Sequence, residues 1–284
     1  MTSNAALQRT RRLLSARKGG HGGTLDPLAT GLLVLAFGEA TKFSSTLLEG
    51  EKAYAAEICL GATTTTGDAE GAVLERRHVA VDDAEVRAAL AGFVGSYEQL
   101  PPAYSALKHR GRPLYHYARA GEHVPRQPRR VEISRLQFEG REGERLRITV
   151  TCSKGTYIRS LAEDIGVALG CGAHLAGLRR LASGCFRLAE AVTLSDLEGE
   201  AMAVRRARLL PPDAPLSALP AAVIPVAEAA CMLQGQRTRR PAPDIPVGLV
   251  RLYVDSVPKR FVGLGEVTAG GELLPRRLVA TTPR

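Results

Sequence analysis

Residues 20–43 read GHGGTLDPLATGLLVLAFGEATKF, and the interpretation of the whole 284-residue chain turns on them. The first half gathers Gly20, Gly22, Gly23 and Gly31 around one histidine, His21, and one acid, Asp26, with Pro27 stiffening the backbone directly after the acid. Such a run suits a turn that something large approaches closely. On residues alone two readings of Asp26 stand open. Either it caps a turn or a helix with proline at its first position, or it is a carboxylate placed to attack or deprotonate a substrate. His21 is equally open, as a turn residue or as a working group. The second half is continuously apolar over residues 32–37, which predicts a strand buried on both faces of a sheet.

Working outward, strand patterns recur over residues 54–60, 131–138 and 146–152, the last alternating Leu146, Ile148, Val150 and Cys152 with polar neighbours. Thr2, Ser3 and Asn4 can cap a helix running to about Leu14. Asp82 with Glu85 fits a capping box for a helix through Phe93. Ile158, Leu161, Ala162, Ile165 and Leu169 share one face of a further helix. Strands in pairs with scattered helices indicate an α+β fold with a mixed, largely antiparallel sheet. Residues 211–225, PPDAPLSALPAAVIP, read as an ordered linker, and the short strand patterns after it as a compact β domain. The expected division is a catalytic domain over 1–212 and a smaller domain over 213–284.

The balance of 38 Lys and Arg against 29 Asp and Glu gives a net charge of +9, which suits a polyanionic partner such as RNA. Residues 105–135 concentrate the excess, with Lys108, Arg110, Arg112, Arg119, Arg126, Arg129 and Arg130 interleaved with Tyr115 and Tyr117. Cations among aromatics suit folded RNA, whose phosphates they neutralise and whose bases they stack; a solvated charged face is the plainer alternative. No apolar run approaches the about 20 residues of a membrane span. The N-terminal stretch lacks the apolar core of a signal peptide, so a cytoplasmic location is expected. The five cysteines lie far apart without a C-x-x-C pair, and the histidines lack ligand spacing, so neither a disulfide framework nor a metal is expected. Nucleotide-binding glycine loops are absent as well, and no cofactor is expected.

Residues 20–43 are similar to the catalytic motif of the bacterial tRNA pseudouridine synthase B (TruB) family. Further blocks match that family in the same order: KAYAAEICLGATTTTGDAEG from Lys52, QLPPAYSALKHRGRPLYHYARAGEHVPRQPRRV from Gln99, and CSKGTYIRSLAEDIGVALGCGAHLAGLRRLASGCF from Cys152. The tail GLGEVTAGGELLPRRL resembles the family's PUA-like RNA-binding domain.

The resemblance implies an isomerase converting uridine to pseudouridine in the T loop of tRNA, at the position conventionally numbered 55, without cofactor. It makes Asp26 the nucleophile or base, Arg159 its partner, and Tyr54 the ring stacked on the target uracil. Tyr157 and Leu178 line the same pocket, Lys42 lies near it, and His21 takes the space of the flipped base, since a base inside a folded loop must be extruded to react. Lys108, Arg179 and Arg180 extend the RNA-binding surface. A monomer without protein partners is expected. Two alternatives remain: a tRNA-binding or tRNA-folding protein with impaired catalysis, and a synthase of the same fold aimed at another RNA. The chain departs from the family in two places. The usual first strand with its Lys-Pro pair is not seen ahead of the helix near Ser3: either the true start lies upstream of Met1, or an edge of the sheet is lost, which would leave backbone groups unpaired. Gly22 stands where threonine is common.

Overall fold

The protein is described by a computed structural model covering residues 1–239 and 245–280. Its larger sheet has seven strands, in the order Phe186–Arg187, Ala173–Ser183, Lys52–Leu60, Arg145–Cys152, Arg129–Glu142 and Gly95–Gln99, with Thr30–Gly31 added in parallel beside Ala173–Ser183. All other neighbours on this path are antiparallel. Alternation in Arg145–Cys152 sends Leu146, Ile148, Val150 and Cys152 to one buried face, and the helix Ile158–Ala168 covers that face with Ile158, Leu161, Ala162 and Ile165. Helix and sheet come very close at Gly166, where a Cβ would stand 2.2 Å from the Ala173 nitrogen. Only glycine permits that approach.

The expected caps are present. The Thr2 hydroxyl accepts from the Ala5 amide and opens Ser3–Leu13. Asp82 and Glu85 form a reciprocal capping box at the start of Asp83–Ala91. A second sheet of five strands follows, ordered Ala221–Ile224, Gly248–Val254, Arg260–Val267, Glu272–Leu278 and Thr238–Arg239, with its own core around Ile224, Val250, Leu252 and Leu273. The two sheets meet at Phe43, which is buried against Leu216, Leu264, Val279 and Phe261.

Two expectations are corrected. Residues 32–37 are not one buried strand: only Leu35–Phe37 pairs, with Gly19–His21, because Leu32 has both its amide and its carbonyl bound by Arg180 and is pulled out of that ladder. Residues 211–225 are more than a linker, since Ala214–Leu216 forms a helical turn and Ala221–Ile224 is a strand of the second sheet. The strand Ala173–Ser183, which carries no local strand pattern, pairs along the whole of Lys52–Leu60. Of the five free cysteines only Cys152 and Cys171 are buried.

Replacing Gly166 with alanine should lower stability by about 1–3 kcal/mol through overpacking against residue 173. Urea unfolding checks this, and an unchanged midpoint would contradict the close approach.

Candidate active site

The loop carrying Asp26 is pinned at several points. The Ser3 hydroxyl, on the first helix, accepts from the Leu25 amide at 2.9 Å. The Asp26 carbonyl accepts from the Ala29 amide at 2.9 Å, closing a turn, and Leu28 and Ala29 pack on the main core. Gly31 has φ +94°, and a Cβ there would stand 2.3 Å from the Arg180 carbonyl, so the loop leaves the site pressed against the Ala173–Ser183 strand. Gly22 is also sterically required: a Cβ would lie 2.7 Å from that of Leu47, so the threonine common in the family would not fit this chain without movement.

Arg159 organises the site. It stands on the first turn of Ile158–Ala168 and is 5% exposed. Its Nε donates to Asp26 Oδ2 at 2.9 Å and its Nη2 to Oδ1 at 3.2 Å, a two-pronged pairing. Nη1 also donates to the Thr66 carbonyl at 3.2 Å, and Nη2 to the Tyr104 carbonyl at 2.9 Å. A second carboxylate, that of buried Asp68, lies 3.6 Å from Nε and is held in turn by the Thr66 hydroxyl and the Glu70 amide. The Asp26 side chain keeps 32% of its surface exposed, against 5% for Asp68, so Asp26 is the acid open to a ligand. The turn before Arg159 is fixed by Gln99, whose side-chain oxygen accepts from the Tyr157 amide and whose nitrogen donates to the Tyr157 carbonyl.

Tyr54 lies half-buried in Lys52–Leu60, opposite Val150 on one side and Arg180 on the other. Burial pushes its phenol above the ordinary value, while Arg180 acts in the opposite sense through charge and a hydrogen bond. The Tyr157 phenol is also raised by burial. Leu178 is buried in the main core, opposite Ala56. His21 pairs with Leu35, and its Nδ1 is a buried polar atom lacking a hydrogen-bond partner among the described residues. Arg179 is exposed, as expected of a surface arginine; Arg180 is 1% exposed, because the two-residue strand repeat turns it inward, and the expectation that it extends the surface is corrected. Lys108 is exposed on a short hairpin with Arg112–Pro113. Lys42 makes its contacts at the seam between the sheets, donating to the Leu278 carbonyl at 2.8 Å and pairing with Glu39 at 2.7 Å. Asp68 and Gln99 carry no site signal in the sequence, and Ser3 reads there only as a helix cap. Asp68 stands between glycines in a matched block, but nothing local marks it as buried.

The chain belongs to the TruB family: residues 11–158 match the TruB family pseudouridylate synthase N-terminal domain, 159–229 the tRNA pseudouridylate synthase B C-terminal domain, and 220–279 the pseudouridine synthase II TruB C-terminal model. It is 53% identical to tRNA pseudouridine synthase B of Thiobacillus denitrificans, over 99% of this chain and 93% of that protein. Identity to the protein of the same name in Ectopseudomonas mendocina is 53%, over 99% and 92%. A chain in the crystal structure of the archaeal box H/ACA sRNP Nop10-Cbf5 complex shares the fold with a TM-score of 0.69 at 27% identity, covering 94% of this chain and 76% of that one.

Glu163, one helical turn beyond Arg159, offers a pH test. Burial, then the charge of Asp164, raises its carboxyl above the ordinary 4.5. A raised folded-state value means that the folded form holds its proton longer than the unfolded chain, so stability is fully present below about 4.5 and declines as pH rises through the folded value. Glu163→Gln should therefore have a higher thermal midpoint than the wild type at pH 7, with the gap closing as pH falls to 4.5 and below. A gap independent of pH would refute the assignment.

Proposed function

We propose that this protein isomerises uridine to pseudouridine in the T loop of tRNA, at position 55, with Asp26 as nucleophile or base acting on a flipped-out base. The observation that carries this reading is the two-pronged Arg159–Asp26 pair, in which the arginine is buried and the acid remains open. Both carboxylate oxygens accept from the guanidinium, so the acid is fixed in direction and keeps free lone pairs toward the opening. The reaction breaks the bond from uracil N1 to the ribose C1′ and forms one from C5 to C1′; the C5 proton is lost and N1 gains one. Product and substrate are isomers, so the chemistry balances without an oxidant or energy source.

Tyr54, whose phenol burial pushes above its ordinary value, supplies a ring face for the uracil. Tyr157 and Leu178 complete the pocket wall, and His21 fills the place the base leaves. The exposed cations Lys108, Arg112, Arg129 and Arg179 take up the phosphates. Arg159 grips the Tyr104 carbonyl, which joins this basic segment to the reacting acid. The working division is a catalytic domain over residues 1–212 and a PUA-like RNA-binding domain over 213–284, each supported by a core of its own. A monomer that works on tRNA in the cytoplasm completes this reading. Among the described residues no helix is long and apolar enough to cross a membrane.

Asp26→Asn should reduce pseudouridine formation in a T-arm RNA by at least roughly 10²–10⁴-fold, the range for loss of one positioned acid–base group. RNA binding should persist with a steep dependence on salt. Nucleoside analysis of the reacted RNA checks the first and a filter-binding titration the second. Undiminished product would end the role given to Asp26, and a wild-type chain that binds without isomerising would favour a tRNA-folding function.

A further inference from the structure

Arg180 has an unusual position for a cation. It is 1% exposed, and among the described residues it has no ion-pair partner. Its donors go instead to main-chain carbonyls on the two arms of the Asp26 loop: Nε to Leu32 at 2.7 Å, and Nη2 to Gly23 at 3.1 Å. The main chain of the same residue binds the loop again, its carbonyl accepting from the Leu32 amide at 2.9 Å and its position pairing in parallel with Gly31. Tyr54 is its partner across the sheet. A site that needed only filling would take leucine or methionine without the cost of burying an unpaired charge. A guanidinium offers something those residues lack, which is several donors in a rigid fork that reach separated acceptors at once.

We infer that Arg180 is a positioning residue of this active site, tying both arms of the Asp26 loop to the central sheet beside Tyr54 and so setting where the carboxylate meets the target base. This deepens the proposed isomerisation and rests on it. Arg159 fixes the direction of the carboxylate, and Arg180 fixes the backbone that carries it. Without the tether the loop keeps the Ser3 contact and its own turn, so the protein folds and Asp26 is retained, but its distance from the base is no longer defined.

The test compares wild type, Arg180→Met, Arg180→Lys and a core control, Leu90→Ala, on a T-arm RNA. Misplacing a reacting group by about 1 Å costs roughly 100-fold in rate. Arg180→Met should therefore lose about that much in kcat with KM little changed, Arg180→Lys should fall between it and wild type, and Leu90→Ala should keep its kcat. Hydrogen exchange supplies a readout independent of activity: amides in residues 23–32 should exchange faster in Arg180→Met, with those of the Ile158–Ala168 helix unchanged. A kcat for Arg180→Met no lower than that of Leu90→Ala, or unchanged exchange in residues 23–32, would overturn the inference. Should Arg180→Met unfold, Arg180→Lys carries both measurements. A wild-type chain without turnover would defeat the proposed function alone, leaving hydrogen exchange to decide whether Arg180 holds the loop.

Discussion

The buried guanidinium of Arg159 is the constraint on which the site depends. A cation taken out of water without compensation costs several kcal/mol, and here the compensation comes from well-separated stretches of chain: the Asp26 carboxylate, the Thr66 carbonyl, the Asp68 carboxylate and the Tyr104 carbonyl. Each stretch is held near the others by its share in that one charge. The arrangement also selects which acid is available. Asp68 is shut in by Thr66 and Glu70, whereas Asp26 is satisfied on the arginine side and open on the other.

Behind the reacting face the electrostatics change character. Arg180 and Lys52 are both buried and both bind main-chain carbonyls, Lys52 those of Leu48 and Gly50. Burial, and then the charge of Arg180, lowers the ammonium value of Lys52. Carbonyl dipoles stabilise a cation while leaving its net charge in place, so these two groups bias the interior behind Tyr54 toward positive potential. Sheet pairing fixes this geometry, because Arg180 and Tyr54 are opposite one another in register and their spacing follows from the ladder.

Much of the fold was legible because its patterns are local. The alternation in residues 146–152, the Asp82–Glu85 capping box and the apolar face of the Ile158–Ala168 helix each carry their own signature and appear where expected. Residues 173–183 carry none: AHLAGLRRLAS has two adjacent arginines and little β-branching, and it becomes a strand because both edges find partners, a tertiary effect that outweighs local preference. The same blindness extends to the site. Asp26 and Arg159 came from the family motif and meet in space, but nothing in LRRL says which arginine turns inward. That is decided by sheet register, including the irregularity between residues 180 and 182.

Lys42 shows how far context can redirect a residue. The family resemblance puts this lysine near the pocket, and here it joins Glu39 in a clasp on the second sheet: Lys42 donates to the Leu278 carbonyl, and Glu39 accepts from the Ala280 amide. The hydrogen bond from Lys42 also holds the Glu39 carboxyl below its ordinary value, which favours the charged form on which the clasp depends. Immediately after it Phe43 is buried beneath Leu216, Leu264 and Val279, so the polar clasp and the apolar contact act at one place. The motif is therefore anchored at both ends. Arg159 on its helix and Arg180 on the first sheet hold residues 23–32, while Glu39, Lys42 and Phe43 hold its end on the second sheet.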